Sequence, residues 1–340
     1  MATHIDVLLG DYHSVVRWNA NAIAADHRAM LLFPDTAGVL SFYFGYSVHN
    51  YHMLVYGCIL GGFEGKAMEV ACDINKYLTE DIFVQNPVLR AYLESYAALD
   101  VHVLVRFGRW LEILQLSLPQ KPDVMLYRSA SLRYGRALAF ANLGDIDAAK
   151  NESKAFDNLR ADPQAEERIL HNNTVKALLE VESPMIRGEI AYHEGRSDQA
   201  FKLLREAVQL QDELHYDEPW GKMQPIRHTL AGLLLEKGSV EESEQVFRSD
   251  LLRHPNNPWS LRGLIDCLSS RLKGGSKCCT SAEQVDKASP EGQRLIVEIQ
   301  RLELLLVEQR KSEYADFEIT KACMCCLPKR EQLHAEKGYK

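Results

Sequence analysis

Gly144-Asp-Ile-Asp-Ala-Ala149, Gly195-Arg-Ser-Asp-Gln-Ala200 and Gly238-Ser-Val-Glu-Glu-Ser243 are copies of one local pattern. In each, a glycine closes an apolar stretch of helical period, one or two polar residues follow, and a second amphipathic stretch begins. Gly10, Gly62 and Gly108 hold the same place in further copies. Glycine suits the left-handed residue that ends a helix, and Asp or Ser suits the cap of the next one. A small residue recurs at the same offset after the glycine, at Ala67, Ala149 and Ala200. The unit is therefore helix, tight turn, helix. Its repetition predicts an all-α solenoid in which each unit buries its apolar face on its neighbours.

Composition fits that class and excludes others. An apolar content of 46% in 340 residues belongs to a folded chain. A net charge of −8 gives no basic footprint for nucleic acid. Met-Ala-Thr-His-Ile-Asp at the start lacks a basic region leading into an apolar core, so no secretory signal is expected. No uninterrupted apolar run is long enough for a transmembrane segment. Eight cysteines without a signal read as reduced thiols of a cytoplasmic protein.

The helical stretches pair as 49–60 with 64–77, 89–107 with 110–116, 124–142 with 145–159, 173–194 with 197–215, and 219–237 with 240–253. Pro184 is expected to bend or break its helix, and Pro219 to start one. The solenoid spans residues 1–272. Residues 273–290 read as a flexible insertion, 291–315 as a final helix, and 316–340 as a cysteine-containing mobile tail. Only nine residues precede Gly10, so the chain begins inside a repeat. One apolar face of 12–26 is then left uncovered, to be covered by a longer product or by self-association through the N-terminal repeat.

These turns resemble the tetratricopeptide repeat (TPR). The small residues Ala137, Gly188 and Ala231 on first helices, and Ala67, Ala149 and Ala200 on second helices, match its positions of close helix contact. Longer strings strengthen the likeness: His49-Asn-Tyr-His-Met-Leu-Val-Tyr-Gly57, His102-Val-Leu-Val-Arg-Phe-Gly-Arg-Trp110, Tyr216-Asp-Glu-Pro-Trp220, Pro225-Ile-Arg-His228 and His254-Pro-Asn-Asn-Pro-Trp-Ser-Leu261. They look like a widespread TPR family of bacteria and some eukaryotes that has no assigned reaction. The resemblance covers about residues 46–272. It implies a right-handed, TPR-like helix-turn-helix solenoid and carries over no catalytic residue.

In such a solenoid the first helix of each pair lines a concave face. The facing positions are His49, His52 and Tyr56, then His102 and Arg106, then Tyr134, then Glu182, Met185, Glu189 and His193, then His228. Five of the twelve histidines fall there. They read either as hydrogen-bonded helix residues or as a ligand- or peptide-binding groove. If the ligand is acidic, charging of the imidazoles would tighten binding between about pH 7.5 and pH 6. Arg109, Trp110 and Trp220 are residue types that anchor interfaces, and equally types that pack helix pairs. Cys58, Cys72 and Cys267 sit in apolar helical contexts and read as core. Cys278 and Cys279 with Cys323, Cys325 and Cys326 read as reduced thiols, a zinc cluster or palmitoylation sites, although adjacent cysteines lack the usual zinc-ligand gap.

No Gly-x-Ser-x-Gly elbow, dinucleotide fingerprint or His-Glu-x-x-His is present. The sequence thus predicts a non-enzymatic protein- or peptide-binding scaffold with no cofactor and no metal. A small-molecule binder or enzyme built on the histidine groove is the alternative.

Overall fold

The backbone at all six marker glycines is left-handed, with φ of 72° at Gly10, 75° at Gly62, 68° at Gly108, 90° at Gly144, 80° at Gly195 and 83° at Gly238. The computed structural model describes residues 2–273 and 285–326. The chain is all-α. Its helices are α1 (Ala2–Leu9), α2 (Tyr12–Leu32), α3 (Pro34–Ala37), α4 (Phe44–Gly61), α5 (Glu64–Ile74), α6 (Glu80–Gln85), α7 (Pro87–Leu93), α8 (Leu99–Arg106), α9 (Trp110–Gln115), α10 (Leu126–Leu143), α11 (Ile146–Arg160), α12 (Gln164–Glu167), α13 (Val175–His193), α14 (Ser197–Glu213), α15 (Ile226–Glu236), α16 (Val240–Arg253), α17 (Pro258–Lys273) and α18 (Pro290–Gln309). Two short strands, Ile169–Leu170 and Asn173–Thr174, pair antiparallel. No helix among the described residues is long and apolar enough to cross a membrane.

Each marker glycine joins two helices that pack on each other. The turns pair α1 with α2, α4 with α5, α8 with α9, α10 with α11, α13 with α14, and α15 with α16. Asp145 caps α11 by accepting from Ala148 N at 3.0 Å, and Asp11 caps α2 by accepting from Ser14 N at 3.0 Å. The small residues lie where helices touch. Ala67, Ala137, Ala149, Ala200 and Ala231 are fully buried, and a Cβ on Gly188 would stand 2.9 Å from Leu204.

Several helix extents differ from the expected ones, and the final helix expected over 291–315 stops at Gln309. The stretch 89–107 is not one helix, because a 3₁₀ turn over Glu94–Ala98 separates α7 from α8. There the buried Glu94 carboxylate accepts from Tyr127 N, Arg128 N and Arg168, and Ser95 donates to Ile169 O, so distant partners set the local backbone. Pro184 does not break α13, which runs unbroken through it. Packing on α10, α11 and α14 outweighs the cost of an interior proline, about 3 kcal/mol for the lost backbone bond and the ring clash together. The expected helix at Pro219 begins only at Ile226, because residues 215–225 form a loop whose part from Asp217 onward packs into the interior.

The two ends of the repeat array meet. Tyr12 donates to Pro255 O at 2.8 Å, Asn256 to Leu9 O at 3.1 Å, and Trp259 Nε1 to Ile59 O at 3.0 Å. The face of α2 expected to be bare is therefore covered by the chain itself. Tyr12, Val15 and Val16 are fully buried, and Trp18 remains half-exposed. The described part of the expected mobile tail also packs on the body, with Ile319 and Ala322–Cys325 buried. Most of the expected flexible insertion, with Cys278 and Cys279, lies outside the described residues, as does the tail beyond 326.

Gly10 and Gly195 share the left-handed backbone but differ in surroundings. A Cβ on Gly10 would stand 2.0 Å from Pro255 O, whereas at Gly195 nothing lies within 4 Å. Gly195→Ala should cost only the conformational term, about 1–2 kcal/mol. Gly10→Ala should cost clearly more, because the carbonyl that closes the array must shift. Urea denaturation of the two variants measures the difference, and equal losses would contradict the closure.

Candidate functional site

The residues expected on a concave face do converge, but not on open space. His52, Tyr56, His102, Arg106, Tyr134, Glu189 and His228 are each at most 4% exposed, and His49 is half-buried. Two segments of the same chain fill the space between them: the loop 215–225 and the tail's Cys323–Cys325. Surface cavities of about 270 to 480 Å³ open on other residues.

His49, on α4, meets His171 Nε2 at 3.4 Å through Nδ1 and His4 Nε2 at 3.4 Å through Nε2. The outer rings are each anchored by a carboxylate, His4 on Glu218 at 2.8 Å and His171 on Asp217 at 3.2 Å. One turn along α4, His52 Nε2 meets Met223 Sδ at 2.8 Å, and its ring stands edge-on to Tyr96 and His171. This string joins α1, α4, the hairpin and the loop.

Next to it, His102 meets the Tyr127 hydroxyl at 3.4 Å. Lys222, from the loop, lies 4.4 Å over the Tyr134 ring and pairs with Glu182 at 2.5 Å. Both members of that pair are buried, so loss of either partner would leave an uncompensated charge, a cost of about 3–5 kcal/mol.

At the far end, the Arg106 guanidinium stacks 3.5 Å over Trp259 and donates to His228 Nδ1 at 3.0 Å. Burial pushes Arg106 down to about 9, which leaves it charged at neutral pH. His228 Nε2 donates to Asp250 at 2.7 Å. Burial alone would raise the Asp250 carboxyl, and the bonds from His228 and His254 outweigh it and hold the group well below its usual range. Glu189 faces His193 at 3.5 Å and the Cys325 thiol. Cys323, then burial, then Glu189 push that thiol well above its ordinary value, so it stays protonated.

The interface-anchor candidates are also engaged within the chain. Trp110 is fully buried, and Arg109 pairs with Glu64 at 3.1 Å and Glu112 at 3.0 Å. Trp220 is half-buried against Tyr216, 5.3 Å away. Cys58 and Cys267 are core, but Cys72 is exposed. Among the described residues, no group of three or more His, Cys, Asp or Glu is placed to hold a metal ion.

In the free chain His49, His52, His102 and His228 are all shifted away from charging near neutrality. Burial, then His171 and His4, push His49 down to about 4. Burial lowers His52 and His102 well below their ordinary value and lowers His228 too. What sequence alone missed is the set of covering residues: His4, His171, Asp217, Lys222, Met223, Cys323 and Cys325. They lie far along the chain from the residues they cover; the Tyr216-Asp-Glu-Pro-Trp220 string and the tail cysteines marked two of those segments, but not as cover for the histidines.

Groups held neutral when folded, and free to charge when unfolded, make the unfolded chain the better proton acceptor at low pH. Stability should therefore be fully present above about pH 6.5 and fall as pH drops toward 4. His49 alone contributes of order 2 kcal/mol to that slope. His49→Gln should flatten the unfolding free energy measured between those pH values. His52→Ala with His102→Ala should lower stability at pH 7 by about 2–5 kcal/mol, because it hollows a filled interior. Unchanged denaturation midpoints would mean that this interior is open.

No family model matches this chain, and no curated protein matches it.

Proposed function

We propose that this protein is a non-enzymatic, cytoplasmic TPR-type scaffold that holds protein or peptide segments along the inner face of its helix pairs. The observation that carries the proposal is what occupies that face. Side chains from α4, α8, α10, α13 and α15 converge there, and what they grip is polypeptide. Met223 seats on His52, Lys222 on Glu182 and Tyr134, and Cys323 on Thr229 at 3.4 Å. The left-handed glycine turns and the buried small residues at the helix contacts support the TPR assignment. The neutral, buried His52, His102 and His228 act as hydrogen-bonding and packing groups, and none of them lines the surface cavities described above.

The test is affinity purification of the full chain from cells, identification of stoichiometric proteins by mass spectrometry, and re-formation of the complex from purified components. The expected result is a protein partner that re-forms the complex with the wild-type chain. A small molecule recovered in native mass spectra, with no protein that re-forms a complex, would overturn the proposal.

A further inference from the structure

The segment that follows α18 crosses the edge of the first helix pairs without regular structure until the 3₁₀ turn Met324–Cys326. Its flanks are fixed by Ser312 on His13 at 2.9 Å, by the Tyr314 ring 6.0 Å from Phe63, and by the buried Cys323–Cys325, and residues 316–319 between them make three side-chain contacts. The Asp316 carboxylate accepts from Glu64 N at 2.7 Å and from Gly65 N at 2.8 Å, at the start of α5. The Phe317 ring lies 4.9 Å from Phe107 and 5.7 Å from Trp259. Ile319 lies on Gly62, where a Cβ would stand 2.6 Å from its Cδ1. Arg310 also donates to Phe317 O.

The floor of this strip belongs to the body. Phe63 stands at the N-cap of α5 and supplies no side-chain cap, so the first amides of that helix have no local acceptor. Gly65 has no side chain, and a Cβ there would stand 2.6 Å from the Asp316 oxygen. The amides at the helix start favour a carboxylate, the Phe107–Trp259 pocket takes an aromatic ring, and Gly62 leaves room for an aliphatic one. Asp316, Glu318 and Thr320 remain exposed, so the segment sits on the surface while its contact side chains point inward.

We propose that this strip is a peptide-recognition site. In the free protein it holds the chain's own Asp316-Phe-Glu-Ile319. In the complex it takes a partner's extended segment with the same order of chemistry: carboxylate, aromatic, any residue, aliphatic. This rests on the scaffold reading and names its partner class. Every anchoring contact is made by a side chain of the segment or by the carbonyl of its aromatic residue, so another peptide with that order makes the same contacts. The tethered segment competes at high effective concentration, so the site is masked until a partner with further contacts displaces it.

The test uses the full chain carrying Asp316→Ala with Phe317→Ala, which removes the carboxylate and the aromatic ring from the site and leaves the floor intact. The probe is a fluorescently labelled peptide of sequence Glu-Tyr-Ala-Asp-Phe-Glu-Ile-Thr. The expected result is saturable anisotropy change, at least about tenfold tighter than with the wild-type chain, whose own segment competes. Replacing the probe's Phe by Ala, or adding Gly65→Ala to the protein, should abolish it. A double variant with unchanged far-ultraviolet circular dichroism that fails to bind the peptide up to about 1 mM would overturn the proposal. So would a purified partner that binds the full chain equally well with and without Gly65→Ala, an outcome that leaves the scaffold reading standing. A wild-type dimer formed by exchanged tails would overturn it too, since it assigns the strip to a second copy. If the double variant does not fold, hydrogen exchange on the wild type decides. Glu64 and Gly65 amides should exchange at least about tenfold faster than those of α10, and exchange only on global unfolding would overturn the proposal.

Discussion

The buried carboxylate of Asp250 is the constraint on which the rest of the molecule depends. It lies at the end of the second helix of a pair, with no exposure to solvent. An isolated charge there would be costly, so its four donors are obligatory. They are His228 Nε2 at 2.7 Å, His254 Nδ1 at 2.9 Å, Asn257 Nδ2 at 3.0 Å and Ser260 Oγ at 2.7 Å. Two of them sit in the α16–α17 turn and one opens α17, so the carboxylate fixes how α17 leaves α16. That sets Trp259, whose indole reaches back to Ile59 O on α4 and whose face carries Arg106. Arg106 in turn fixes the tautomer of His228, which must accept from the guanidinium on one nitrogen and donate to Asp250 on the other. Helices α4, α8, α15, α16 and α17 thus meet at one polar node.

Closure decides the state of the inner face. An array whose ends meet leaves little room inside, and the loop 215–225 and the tail take that room. The interior is therefore polar yet tight. Neutral histidines, the buried Lys222–Glu182 pair and the protonated Cys325 thiol share it, and among the described residues no cluster carries the converging ligands that a metal needs.

The repeat was legible in the sequence because it is local. A left-handed glycine, an Asp cap such as Asp145 and a small contact residue such as Ala200 each act within a few residues, so their spacing alone places the turns. The facing positions were legible for the same reason: helical period put His52, His102, Arg106 and His228 on one face, and they do converge. Their burial was not legible. What covers His52 is Met223, and what pairs with Arg106 is His228, and no local rule links residues so far apart in the chain. The break in 89–107 has the same origin, since Glu94 answers to Arg168 and to amides of α10. Pro184 misled in the opposite direction, because a local penalty was overruled by packing on three helices.

The helix caps show where such distant partners are needed. Every second helix begins with amides that have no partner inside the helix. After Gly144 the chain supplies its own acceptor in Asp145. After Gly62 the same position holds Phe63, whose ring cannot accept, and the next residue but one is Gly65. That copy of the turn is chemically incomplete by itself, and the missing acceptor arrives as Asp316, 252 residues from Glu64. Helices α9, α14 and α16 likewise start without a side-chain cap at the N-cap residue, and at α5 the acceptor is supplied by Asp316. Because Asp316 is exposed and held chiefly by side-chain contacts, its hold is weak beside that of Asp250, whose oxygens are buried under four donors. Asp250 holds the fold permanently, while the gap left by Phe63 can be filled by whichever carboxylate competes best for two backbone amides.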